Sequence, residues 1–345
     1  MSSPLKAATG DIMSKIRPLP PALQKVAIEE LNEDPTRIDA DIEALRTWIQ
    51  QQPHLRARTD DQWLVAFLRG SKYSLEKAKS KIDKFYALRT KYPELFTLKG
   101  MSEETIKEYL RLGVALVMPT PLNGDGKRIM IMRAGAIDPS KYNFTEVMRI
   151  YQAACEMTLL EDDYTIVNGF IHIMDLTNWT KEHFFQMNPN LMKRLTVFSE
   201  EAVPIRPKGF IAINAPAVFE SFYNLVKPMM SEKQVKRVSF LKYVFKIFIY
   251  VLTQTINLQS VIYGTNYEKL YETIPLKYWP KEYGGENSSV DELIADFEQR
   301  FMKFRDYIRE SEELYGTDEH LRPGKPIDFE NLFGMEGSFR KLNVD

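Results

Sequence analysis

Eight cations share the stretch from Val203 to Lys246 with two acids: Arg206, Lys208, Lys227, Lys233, Lys236, Arg237, Lys242 and Lys246 against Glu220 and Glu232. Eight minus two leaves a local charge of plus six in a chain whose formal net charge is -1. Such a patch attracts anions. Interleaved with it, at helical spacing, stand Phe219, Phe222, Leu225, Val226, Met229 and Met230. Cations beside a Phe- and Met-rich surface fit an anionic bilayer. A helix packed on a sheet, with its charges solvated, fits equally well, and the residues alone leave both readings open.

Catalytic chemistry finds less support. Four histidines, His54, His172, His183 and His320, have no Cys, Asp, Glu or second His at metal-ligand spacing. His172 lies in an apolar run and reads as a core or pocket-edge residue. No Gly-x-Ser-x-Gly elbow, His-Glu-x-x-His or Gly-x-Gly-x-x-Gly occurs. Asp162 and Asp163 read as a solvated turn. Asp175 closes a strand, where an α/β enzyme would keep an acid, but no base or nucleophile accompanies it. The sole cysteine, Cys155, sits in a helical pattern and reads as a buried, inert thiol. The chain is therefore expected not to be an enzyme and to need no cofactor.

The 345 residues, 44% of them hydrophobic, suffice for two domains with a sizeable core. One cysteine permits no internal disulfide, and the first residues carry no apolar leader, so a cytoplasmic location is expected. The greasy run from Phe240 to Leu258 is interrupted by Lys242 and Lys246 and is rejected as a membrane span.

Residues 1–22 are expected to be flexible. Residues 23–105 read as an all-helical unit. Ile38, Ile42, Leu45 and Ile49 form one helix face, Trp63 to Leu68 a second helix ended by Gly70, and Leu75 to Leu88 a third behind Ser74. Beyond Gly113 the pattern changes. Two β-type runs flank Asn123-Gly-Asp-Gly126, a hairpin signal. A helix is expected over about Phe144–Glu161, a strand over Val167–Asp175 and a helix over about Lys181–Ala202. A strand over Lys208–Ala215, a helix over about Ala217–Met230 and a strand ending at Gly264 follow. Strands separated by helices predict an α/β fold with a mostly parallel sheet, over residues 106–285. Residues 286–345 hold a last helix, capped by Ser288 or Ser289 and ended by Gly316, then a surface tail.

Several motifs in order carry a family resemblance: Trp63-Leu-Val-Ala-Phe-Leu-Arg69-Gly-Ser-Lys72, Pro204-Ile-Arg-Pro-Lys-Gly-Phe-Ile-Ala-Ile-Asn214, Val226-Lys-Pro-Met-Met-Ser-Glu-Lys-Gln-Val-Lys-Arg237 and Tyr278-Trp-Pro-Lys-Glu-Tyr-Gly-Gly285. On these the chain resembles the CRAL-TRIO family over roughly residues 25–340. The likeness is greatest to the animal branch around the α-tocopherol transfer protein and cellular retinaldehyde-binding protein. The tail from Leu332 to Leu342 looks like that of insect members.

The resemblance implies a helical N-terminal domain, then an α/β lipid-binding domain with one hydrophobic ligand under a movable helical gate. The implied gate and pocket residues are Phe219, Phe222, Val226, Met229, Met230, Ile171, Ile173, Ile211 and Ile213. The implied phosphatidylinositol bisphosphate site is Arg206, Lys233 and Arg237, with Arg69 and Lys208 beside them. Many relatives carry a basic residue after the position of Gly70, where this chain has Ser71. Expected partners are a hydrophobic lipid and a phosphoinositide-bearing membrane surface met peripherally and reversibly, with no nucleic acid and no obligate protein partner. The expected function is binding and transfer of a tocopherol-, retinoid- or similar lipid. A phosphoinositide-sensing adaptor without net transfer is the alternative. Residues 239–260 depart from the family pattern, either as a genuine extra helix or as a translated intron.

Overall fold

The computed structural model describes residues 16–186, 191, 194, 195, 197–214, 260–263 and 267–329. Helices α1 (Pro21–Leu31) and α2 (Ile38–Gln50) come first, then a two-residue strand β1 (Leu55–Arg56). Helices α3 (Asp61–Gly70), α4 (Leu75–Lys91), the single turn α5 (Pro93–Phe96) and α6 (Glu103–Arg111) complete the helical part. On α2 the apolar stripe Ile42, Leu45 and Ile49 is buried. Helix α3 is buried on every side from Gln62 to Gly70, as expected of a helix that is apolar all round. Trp63 packs edge-on against Phe85 of α4 at 5.5 Å. The N-terminal segment is not loose throughout: Arg17 donates from its backbone to Gln62 Oε1 at 3.0 Å and from Nε to Asp163 Oδ2 at 2.9 Å.

A five-stranded sheet follows, ordered β2-β3-β4-β5-β6. Strands β2 (Ala115–Val117) and β3 (Arg128–Arg133) form the expected antiparallel pair. Between them Asn123 and Gly124 take left-handed φ of 60° and 87°, the backbone that Asn and Gly accept most readily. Helix α7 (Phe144–Glu161) and the short α8 (Asp163–Asn168) lead to β4 (Phe170–Asp175). The strand expected from Val167 starts only at Phe170. Val167 and Asn168 finish α8, and Gly169 turns the chain at φ +75°, where a Cβ would meet the Arg206 carbonyl oxygen at 2.3 Å.

Every described residue of the expected helix over Lys181–Ala202 is helical: α9 (Lys181–Gln186), then Leu191, Arg194, Leu195 and Val197, with Phe198–Ala202 wound as a π-helix. Strands β5 (Pro207–Ile213) and β6 (Ser260–Tyr263) run parallel to β4 and to each other, and β4 runs parallel to β3. The observed class is therefore α/β with a mostly parallel sheet. Ser260, assigned to the departing stretch 239–260, is already a β6 residue; the rest of that stretch lies outside the described residues.

Helix α10 (Tyr267–Thr273) and the long α11 (Val290–Leu314) close the domain. Ser289 caps α11 in a capping box, its side chain accepting from Glu292 N at 3.2 Å while Glu292 returns the bond to Ser289 N at 2.7 Å. Ser289→Ala should lower stability by about 1 kcal/mol, read as a shifted denaturation midpoint. Gly316 does not end this helix. It belongs to β7 (Gly316–Thr317), which pairs antiparallel with β1. Nor is the following segment merely laid on the surface, because Arg322 donates to both Asp83 oxygens at 2.6 and 2.8 Å.

Candidate functional site

Side chains alternate across a strand, so the sheet has two distinct faces. On one, Ile129, Ile131, Ile171, Ile173, Ile211 and Ile213 pack against Leu270, Ile274, Trp279 and Leu293. On the other, Met130, Phe170 and His172 face α7 across a cleft of about 720 Å³. That volume lies in the range of small-molecule sites. Ile171, Ile173, Ile211 and Ile213, expected to line the pocket, do not line this cleft. Their strand parity points them to the opposite face, where the described neighbours are Leu270, Ile274, Trp279 and Leu293.

The wall opposite the sheet is α7, which contributes Tyr151, Gln152, Cys155 and Thr158. Residues 151, 155 and 158 recur at four- and three-residue spacing, one face of a helix. Polar and small groups on that face of a largely apolar helix were the signal that sequence reading passed over. Burial pushes the Cys155 thiol up to about 12, with Tyr151 pulling weakly the other way, so this thiol is a poor nucleophile. Burial alone depresses His172 to about 4, which leaves it neutral.

One rim of the cleft is cationic. Lys72, Lys77, Arg206 and Lys208 all line it. Lys72 takes a left-handed φ of 52° and Tyr73 of 54°. Arg206 donates from Nη1 to the Arg69 carbonyl at 2.7 Å and from Nη2 to the Ile166 and Val167 carbonyls at 2.8 and 2.6 Å. Its partners are neutral, so burial dominates and pulls its pKa down to about 10, with Glu30 opposing. Arg206 remains a cation, yet much of its hydrogen-bonding capacity is spent stitching β5 to α3 and α8. Lys208 reaches Glu30 at 3.5 Å.

Arg69 departs furthest from expectation. It is buried at 1% exposure. Its Nε donates to Glu33 Oε2 at 2.8 Å and its Nη1 stands 3.6 Å from Asp163 Oδ1. A guanidinium held this way is not offered to a surface headgroup, so Arg69 is removed from the anion site. The solvated-turn reading of Asp162 and Asp163 is also corrected. Asp162 takes Nε and Nη2 of Arg128, each at 2.7 Å, and caps α8. Burial would raise its pKa, but Arg128 outweighs it and the net shift is downward.

Asp175 is likewise structural in its contacts. It accepts from Thr177 N at 2.9 Å, Asn214 Nδ2 at 2.8 Å and Tyr283 Oη at 2.6 Å, tying the ends of β4 and β5 to the closing motif. Lys233, Arg237, Phe219, Phe222, Val226, Met229 and Met230 lie outside the described residues. Among the described residues no group of three His, Cys, Asp or Glu could hold a metal ion, and no helix is long and apolar enough to cross a membrane.

Comparison with known proteins places this geometry. Residues 34–106 match the family described as "Pinta-like, UBA domain", and residues 121–285 match the CRAL/TRIO domain. Clavesin-2 of Mus musculus is 25% identical over 316 residues, which is 90% of this chain and 86% of that protein. "Alpha-tocopherol transfer protein-like" of Mus musculus is 26% identical over 283 residues, 80% of this chain and 75% of its own length. Clavesin-1 of Rattus norvegicus is 26% identical over 269 residues, 77% of this chain and 68% of that one. The solved structure of Sfh5 aligns with 85% of this chain and 99% of its own at 12% identity and a TM-score of 0.39, a likeness too slight to carry weight. With this domain match and its mostly parallel sheet, the chain carries a CRAL/TRIO domain over residues 121–285.

Proposed function

We propose that the protein binds a hydrophobic small molecule and carries it between membranes, docking reversibly on phosphoinositide-bearing surfaces, and that it catalyses no reaction. The observation that carries this reading is the cleft itself, about 720 Å³ with Met130, Phe170 and Tyr151 inside and cations along one rim. The names of the tocopherol-transfer-like relatives point the same way.

The physical need is plain. Moving a lipid chain from bilayer to water costs about 0.8 kcal/mol per CH₂, or on the order of 13 kcal/mol for sixteen carbons. An apolar cleft offsets most of that by replacing one oily surrounding with another. Each basic residue near an anionic leaflet adds about 1 kcal/mol, so a few suffice to dock without anchoring. Lys208 serves this role at the rim, and the sequence offers Lys233 and Arg237 as its partners in it. Liposomes containing phosphatidylinositol bisphosphate should speed ligand release from the wild type several-fold more than from the Lys233→Ala/Arg237→Ala variant. Equal acceleration of both would remove the basic patch from the mechanism.

A further inference from the structure

Lys81 lines the cleft from α4, beside Ser199, Glu200 and Val203 at the π-helix. Its Nζ donates to the Glu200 and Val203 carbonyls at 2.5 and 3.0 Å. An ammonium has three donors, so one is left over. Both partners are neutral, and among the described residues Lys81 pairs with no carboxylate. Two acids of this wall are engaged elsewhere: Glu201 pairs with Lys84 at 2.6 Å and Glu76 with Lys79 at 2.8 Å. Burial pulls the Lys81 pKa down to about 8, with Glu201 and Glu200 opposing and Lys84 and Lys77 reinforcing the shift. A cation placed in a ligand-sized cleft with a spare donor and no ion-pair partner is unfavourable. An anion brought by the ligand removes that penalty.

The other charges along the cleft are answered already. Arg128 and Asp162 neutralise each other. Arg206 donates to three backbone carbonyls, and Lys208 reaches Glu30. Lys72 and Lys77 are exposed to solvent. One uncompensated charge calls for a singly charged partner. A multiply charged phosphate would also meet Glu200 and Glu201, whose charges are felt at Lys81 itself; a single carboxylate meets less of that repulsion. We infer that Lys81 is a specificity-determining residue whose ammonium group holds the carboxylate end of a long-chain lipid acid lying in the cleft. The inference rests on the lipid-cleft reading above and narrows it to one ligand class, distinct from the membrane headgroup met at the rim.

Palmitate and methyl palmitate carry the same chain with and without the charge. Each is titrated against protein-bound Nile red, an uncharged dye whose fluorescence falls on displacement. At neutral pH palmitate should displace the dye from the wild type at about a tenfold lower concentration than the ester, the scale of one hydrogen bond to a charged group. That advantage should fade as pH rises through about 8 and Lys81 loses its charge. Binding the anion raises the Lys81 pKa, so the loss extends above that value. Lys81→Arg should keep the preference and lose its pH dependence, because a guanidinium stays charged. Lys81→Met should bring the two curves together while leaving the ester unchanged. Equal displacement by both probes from the wild type, or a palmitate preference that survives in Lys81→Met, would overturn the assignment and leave the lipid cleft standing. So would loss of binding to vesicles containing phosphatidylinositol bisphosphate in Lys81→Met, which would move Lys81 to the headgroup site. Displacement by neither probe would bring down the cleft reading and this inference with it. The wild-type comparison and its pH profile need no variant to fold.

Discussion

Glu33→Gln should lose about 3–5 kcal/mol of folding stability, the cost of stripping a buried charge of its partner. The Glu33 side chain is fully buried between α1 and α3. It accepts from Arg69 Nε, Tyr73 Oη and Gln24 Nε2, each at 2.8 Å. The amide keeps the shape but removes the nearer of the two carboxylates that face the buried Arg69 guanidinium, leaving it only Asp163, 3.6 Å from Nη1. The effect carries a pH signature. Burial pushes the Glu33 pKa up, but the Arg69 bond and charge, with Gln24 and Tyr73, outweigh it and the net shift is down from 4.5. A depressed carboxylate contributes stability that is fully present above the unfolded-state pKa and fades as pH falls through the folded one. The gap between wild type and Glu33→Gln should therefore be widest near neutrality and narrow below about pH 4.5. Urea titrations at several pH values would measure it, and a gap independent of pH would mean that shape rather than charge holds this site.

That ion pair explains why the anion site was only half legible in the sequence. Arg69, Arg206 and Lys208 are all basic and all fall in motifs that the family resemblance marks. Composition cannot say whether a guanidinium faces a carboxylate, a carbonyl or solvent. Arg69 faces Glu33, thirty-six positions earlier, a pairing with no local signal. Arg206 spends its donors on three backbone carbonyls. Lys208 keeps a place on the rim. The elements themselves were easier to read. The span of α7 matches its apolar period from Phe144 to Glu161, and the α11 cap follows from Ser289 with Glu292 three residues on. Strand parity was the harder problem. Ile171 and Ile173 look like pocket residues because both faces of β4 are buried, so the usual alternation of apolar and polar residues is missing. Only the partners on each side of the sheet, Leu270 and Trp279 on one and α7 on the other, tell its two faces apart. The polar set on α7 was visible as letters, but its meaning depends on the cleft it faces.

The wall that carries Gln152 is fixed by a second buried ion pair, and breaking that pair should produce the other large loss. Arg89 of α4 pairs with Glu156 of α7 and stands 3.8 Å from Glu312 of α11. Glu156 has no exposed surface and lies one helical turn beyond Gln152. Burial works against the Arg89 charge, yet Glu156 and Glu312 hold its pKa above the ordinary arginine value. Arg89→Ala strands the Glu156 carboxylate in the core, and about 3–5 kcal/mol should be lost. It should also loosen α7, one wall of the cleft. The charge is separable from the packing, because the guanidinium also lies 4.9 Å from the Phe85 ring centre. An Arg89→Met/Glu156→Leu double variant removes both charges and keeps most of the volume, so it should recover most of the lost stability. Denaturation midpoints of wild type, single and double variants test this directly. A double variant as unstable as Arg89→Ala would show that the fit of the guanidinium against Phe85, and not its charge, anchors the cleft wall to the helical part.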